Sequence, residues 1–196
     1  KNGIIWSSCS PDFGTQGVVD RFKQIKPKVL ITSDYYFYNG KKISILEKVD
    51  DILSHITSIK KVIVFPYNQN EKIISKKYIN FEDALSKSNF DETFERFEFN
   101  HPIYILYSSG TTGKPKCITH GTGNVLIEHN KEFILHCDVN DNDKLFYYTT
   151  TGWMMWNWLV SGLATGSSIF LFDGAPTYPK INILLEHSQN KKINLF

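Results

Sequence analysis

The chain has 196 residues, 41% hydrophobic and 21% charged, a composition ordinary for a folded soluble domain and unlike that of a disordered chain. Its 22 basic and 20 acidic residues leave a formal net charge of +2, too little to gather nucleic acid or an anionic membrane. Cys9, Cys117 and Cys137 are odd in number and far apart, without CxxC or Cys/His zinc spacing. They are expected as reduced thiols of a cytoplasmic protein, with no metal site.

In chain order, Ile4–Ser7 predicts a short strand and Cys9–Asp12 a turn. Gly14 to Ile25 predicts a helix with Val18, Val19, Phe22 and Ile25 on one side, stopped by Pro27. Val29–Ile31 is the next strand, expected to pair in parallel with the first. Tyr35–Gly40 ends in an Asn-Gly tight-turn signal, and Ile43, Leu46, Val49, Leu53 and Ile56 recur at helical spacing. Val62–Phe65 is a strand closed by Pro66. Residues 68–77 predict a loop or β-excursion, Phe81–Leu85 a helical turn, and 86–100 irregular chain.

Ile103–Tyr107 and Cys117–Thr119 are strands on either side of a Ser/Thr/Gly loop. Gly123 to Cys137 predicts a helix burying Val125, Leu126, Phe133 and Ile134. Strand Leu145–Tyr148, helix Trp153–Ala164, strand Ser168–Phe172, helix Ile181–Ser188 and strand Ile193–Phe196 complete the series. No charge lies between Lys144 and Asp173, yet Thr149–Gly152, Asn157 and Thr165–Ser168 interrupt the run, so it predicts buried elements and not a membrane span. Alternating strands and helices predict an α/β fold of repeated strand–helix units with a mostly parallel sheet.

The chemistry concentrates in the loop. Ser108–Gly113 follows a buried strand directly, and its glycines let backbone N–H groups turn toward one point, a nest for anions. The hydroxyls of Ser108, Ser109, Thr111 and Thr112 add donors, and Lys114 and Lys116 add charge. Polyphosphate is the ligand that uses all of these together. The spacing is not that of the common nucleoside-triphosphate P-loop: two residues, not four, separate Gly110 from Gly113, and Pro115 follows Lys114. Pro115 also blocks an immediate helix, so the loop is expected to lead into a strand.

Tyr107-Ser-Ser-Gly-Thr-Thr-Gly-Lys-Pro-Lys116 resembles the signature of the adenylate-forming superfamily of acyl-CoA synthetases, luciferases and peptide-synthetase adenylation domains. The resemblance implies that Ser109, Gly110, Thr111, Thr112, Gly113 and Lys116 close over the β- and γ-phosphates of ATP. It implies ATP, magnesium and coenzyme A as the small-molecule partners. The acid attacks the α-phosphorus to give acyl-AMP and pyrophosphate, and a thiol then displaces AMP. Lys116 is expected as the catalytic charge that holds the departing pyrophosphate.

Two further segments, Ile4–Gly14 and Tyr148–Trp158, resemble the acetoacetyl-CoA synthetase branch. Acetyl-CoA synthetases keep Gly-Trp at the place of Gly152-Trp153 but follow it with Val-Thr, where this chain has Met154-Met155. Periodicity alone favours core packing for Trp153, Met154, Trp156, Leu159 and Val160; the resemblance moves Trp153, Met154 and Met155 toward an acyl pocket. Asn157, an amide in an apolar helix, either orients a substrate or bonds to neighbouring backbone. His120 either packs at a strand end or lines the nucleotide side. His129 and His136 lack a third metal ligand, and Glu128, Lys131 and Glu132 suit a solvated helix face.

The opening without Met and the apolar close at Lys192–Phe196 predict an internal piece of a large N-terminal AMP-binding domain. The family places its adenine, ribose and hinge motifs and a small C-terminal domain with the adenylation lysine outside these residues. The chain expressed alone is therefore expected not to turn over; acid-dependent ATP–pyrophosphate exchange by residues 1–196 would refute this. The alternatives are a ligase for another short acid, or a nucleotide-binding module without catalysis.

Overall fold

Helix α1 (Thr15–Ile25) follows from its apolar spacing: Val18, Val19 and Phe22 are the residues it buries. Lys26 takes a left-handed conformation, its N–H bonds Phe22 O at 3.0 Å, and Pro27 forbids continuation. Strand β1 (Val29–Ser33) follows, and then β2 (Tyr35–Tyr38) and β3 (Lys41–Ser44) form an antiparallel hairpin. Its turn, Asn39 and Gly40, has positive φ at both residues (50° and 76°), as the Asn-Gly signal predicts.

Helix α2 (Leu46–His55) leads to β4 (Lys61–Phe65), which pairs in parallel with β1, Val29 opposite Lys61 through Ser33 opposite Phe65. The short β5 (Ile79–Asn80) pairs in parallel with β4 on its other side, giving the order β1-β4-β5. Asn80 then caps α3 (Phe81–Ser86), its side chain accepting from Glu82 N at 3.1 Å. On β4, Val62 and Val64 are buried, as a period of two requires, and they join Ile45 and Val49 in one core. Burying each such side chain contributes about 1.5–3 kcal/mol.

Strands β6 (Pro102–Ser108) and β7 (Lys116–Gly121) flank the Ser/Thr/Gly loop and pair with each other, so the loop leads into a strand as Pro115 implies. Helix α4 (Thr122–Lys131) runs into a π-helical turn, Glu132–His136, marked by Cys137 N bonding Glu132 O at 3.0 Å. The wider winding turns Ile134 away from its expected burial, whereas Leu126 is exposed within the regular helix α4 itself. Val125 and Phe133 are buried, but Leu126 is 58% and Ile134 53% exposed. Lys131 pairs with Glu128 at 2.9 Å and Glu132 at 3.1 Å on the solvated face.

β8 (Lys144–Phe146) and β9 (Ser168–Phe170) pair in parallel around α5 (Met154–Ser161), with α6 (Ile183–Lys191) beyond. Phe133, Val139, Leu145 and Leu159 make the core there. The strand expected at Ile193–Phe196 reduces to one parallel bridge, Leu195 to Leu145. The first expected strand is likewise one bridge, Trp6 to Tyr104. It joins β6 and not β1, because Trp6 exchanges backbone hydrogen bonds with Ile103 and Ile105, both at 2.9 Å.

This computed structural model describes residues 2–71, 73, 75–87, 93–108 and 113–196. The chain divides into two compact units, one of Pro11–Thr93 with Tyr107–Cys117, the other of Lys1–Ser10, Phe94–Leu106 and Ile118–Phe196. The fold is α/β with mostly parallel pairing, as the strand–helix alternation predicts. Among the described residues no helix is long and apolar enough to cross a membrane.

Candidate functional site

The loop's two ends are built by a strand and a turn. Tyr107 and Ser108 close β6. Gly113 re-enters with φ 129°, a conformation that side chains other than glycine rarely adopt. Ser109, Gly110, Thr111 and Thr112, expected to contact phosphate, lie outside the described residues.

The two lysines after Gly113 differ. Lys114 Nζ stands 3.9 Å from Asp20 Oδ1 of α1. Lys116, the first residue of β7, is exposed and forms no ion pair among the described residues. Its charge is therefore available to an incoming anion, while that of Lys114 is shared.

Helix α1 touches both ends of the loop. At the entry, the Phe22 ring lies 6.5 Å from that of Tyr107, and Arg21 Cζ sits 5.8 Å from the Tyr107 ring and 4.6 Å from that of Phe13. At the exit, Gln24 Nε2 donates to Pro115 O at 2.9 Å. Sequence reasoning missed Asp20, Arg21 and Gln24. They look like ordinary polar residues of an amphipathic helix, and Gln24 and Pro115 are separated by 91 positions.

In the other unit, the two segments that resemble one family branch meet. Ser8 Oγ donates to Thr151 O, and Thr151 Oγ1 donates to Cys9 O at 3.3 Å. Gly152 lies against this crossing so closely that a Cβ there would stand 2.6 Å from Ser10 N. Beyond it, Trp153 caps α5 in extended conformation.

The four residues expected to line an acyl pocket fall on the first turns of α5. Trp153 is 59% exposed and Met154 48%, while Met155 and Asn157 are half-buried. Trp153 and Met154 are thus not core residues in this chain. Asn157 Nδ2 is buried without a hydrogen-bond partner among the described residues.

The histidines are structural in setting. His120 packs on Tyr104, ring centroids 5.0 Å apart, and burial lowers its pKa. His129 Nδ1 is 2.8 Å from Ser161 Oγ. Ser161 gives its own hydrogen to Asn157 O at 2.9 Å, so Nδ1–H is the donor to Ser161. Burial is also the main cause that lowers the His129 pKa. His136 stands 4.0 Å from Glu132. Among the described residues no three His, Cys, Asp or Glu side chains converge as metal ligands would. Magnesium, expected with a triphosphate, thus finds no protein ligand set there, and no chemical step is assigned to it.

A family model described as AMP-binding enzyme matches residues 1–196. An acetoacetyl-CoA synthetase of Gallus gallus is 50% identical over 190 residues, 93% of this chain and 28% of the relative. One of Rhizobium meliloti (strain 1021) is 44% identical over 201 residues, 99% of this chain and 30% of the relative. Among solved structures, an acetoacetyl-CoA synthetase from Streptomyces lividans superposes with a TM-score of 0.91 at 40% identity, covering 98% of this chain and 29% of that one. The chain thus spans less than a third of the length of the curated relatives it matches.

Proposed function

This chain belongs to the AMP-binding enzyme family, and from that premise we propose that it is the phosphate-gripping part of an acetoacetate–CoA ligase. The overall reaction converts ATP, acetoacetate and coenzyme A to acetoacetyl-CoA, AMP and diphosphate. The observation that carries the reading is the 44–50% identity to acetoacetyl-CoA synthetases, over 93–99% of this chain. On this reading residues 1–196 belong to the large N-terminal domain of a cytoplasmic enzyme, and the small C-terminal domain lies outside them.

A carboxylate oxygen of acetoacetate attacks the α-phosphorus, and the bond to the bridging oxygen of pyrophosphate breaks. The thiol sulfur of coenzyme A then attacks the acyl carbonyl, and AMP leaves with the carboxylate oxygen. Ser108, Ser109, Gly110, Thr111, Thr112, Gly113 and Lys114 hold the β- and γ-phosphates, and Lys116 balances the charge that builds on the leaving pyrophosphate. The position of Lys116, exposed and without an ion pair among the described residues, supports that role.

Trp153, Met154 and Met155 flank the acyl group, and Asn157 donates to one of its oxygens. A buried donor without a partner costs about 1–3 kcal/mol. A substrate oxygen at Asn157 Nδ2 would offset that cost, and the lack of a partner for this donor among the described residues supports the assignment.

The test is pyrophosphate exchange by the full-length protein. Exchange with acetoacetate is expected to exceed that with acetate or butyrate by about tenfold at the least, and by up to about 10⁴-fold where the site hydrogen-bonds the keto oxygen that the competitors lack. Equal rates would refute acetoacetate and leave another short acid. No exchange with any acid would leave a nucleotide-binding module.

A further inference from the structure

We propose that helix α1 is the positioning element of the phosphate loop, with Gln24 as the residue through which it acts; this rests on the reading of the loop as a triphosphate grip. A loop rich in glycine gains chain entropy when free, and that entropy is lost when its N–H groups converge on phosphate. Fixing the loop's ends beforehand lowers the cost of binding.

The geometry places such fixation at both ends. The entry residue Tyr107 is held by the Phe22 ring and the Arg21 guanidinium. Arg21 is itself oriented, since its Nη1 donates to Gly17 O at 2.8 Å. The exit residue Pro115 has its carbonyl tied to Gln24.

Gln24 has the chemistry for this role. Its amide nitrogen carries two hydrogens: one goes to Pro115 O at 2.9 Å, the other to Asp20 O at 2.7 Å within the helix. The second bond fixes the direction of the first. Asp20 adds a weaker hold on Lys114 at 3.9 Å, and Gln16 Nε2 orients that carboxylate by donating to Oδ1 at 2.7 Å. The Asp20–Lys114 pair is long and its lysine is exposed, so it contributes little. The bond from Gln24 is the one expected to matter.

Gln24 touches neither substrate nor reacting atom, so it is a positioning residue. In the full-length protein, Gln24→Met keeps length and helix propensity but removes both donors. It is expected to raise KM for ATP about fivefold, the worth of one hydrogen bond. kcat and KM for acetoacetate stay within about twofold, and Tm is unchanged. An unchanged KM for ATP overturns the inference. So does a parallel loss of every kinetic constant with a lowered Tm, which would reduce Gln24 to a brace of its own helix.

Binding of a fluorescent ATP analogue separates this inference from the function on which it rests. Wild-type protein without exchange on any short acid refutes the ligase reading. In that case weaker nucleotide binding by Gln24→Met still upholds the anchor, and equal binding overturns it.

Discussion

Replacing Lys116 with alanine in the full-length enzyme is expected to slow acetoacetate-dependent ATP–pyrophosphate exchange by about 100-fold or more, with Tm unchanged. The magnitude is that of removing one preorganised charge from a site where negative charge develops. Two lysines close the loop, and Lys114 stands beside the Asp20 carboxylate. Lys116 is exposed at the start of β7, without an ion pair among the described residues. Its backbone belongs to β7, which pairs with β6, and alanine retains those backbone groups. The loss should therefore be kinetic and not structural. It should appear in the adenylation half-reaction, where pyrophosphate departs. Thioester formation from preformed acyl-AMP, in which no pyrophosphate takes part, should be spared. An unchanged exchange rate would reduce Lys116 to a surface charge.

What was legible in the sequence was local. Helix α1 is bracketed by Gly14 and Pro27, with its apolar residues at helical spacing between them, and it forms within one residue of the predicted bounds. The Asn39-Gly40 turn names its hairpin because few residue pairs accept positive φ twice in succession. What escaped depends on chain that is distant. Ile4–Ser7 reads as a strand, but its partner lies in β6, where Ser7 Oγ reaches Ile105 O across 98 positions. The π-helical turn after Lys131 has no period that a 3.6-residue pattern detects, and so that pattern places Ile134 on the buried face whereas it is exposed. At the loop, residue types and spacing point to phosphate as the ligand, which is the reading proposed above. The supports from α1 carry no local signature, because Gln24 is distinguished only by where Pro115 arrives.

Gly152→Ala is expected to destabilise the protein by about 1–3 kcal/mol, the usual cost of overpacking, and to raise KM for the acid. An alanine Cβ at this position would lie 2.6 Å from Ser10 N and 3.3 Å from Cys9 C. Both are backbone atoms, so no flexible side chain can swing aside. The crossing is also tied by Ser8 Oγ to Thr151 O and by Thr151 Oγ1 to Cys9 O, which resist separation of the two segments. The strain then passes to Trp153, the next residue and the cap of α5, whose first turns carry Met154, Met155 and Asn157. A shift of about 1 Å in positioning residues can cost about 100-fold in rate. A KM for acetoacetate raised about tenfold is within that range. Thr150→Ala supplies the control: Thr150 is exposed, and it serves Trp153 N through its carbonyl, which alanine keeps. Thermal unfolding and steady-state kinetics of the two variants decide the matter. If Gly152→Ala matches Thr150→Ala in both, the close approach relaxes without cost and the glycine before Trp153 has no steric role. If stability falls while KM for the acid stays level, the crossing holds the fold but does not shape the acyl site.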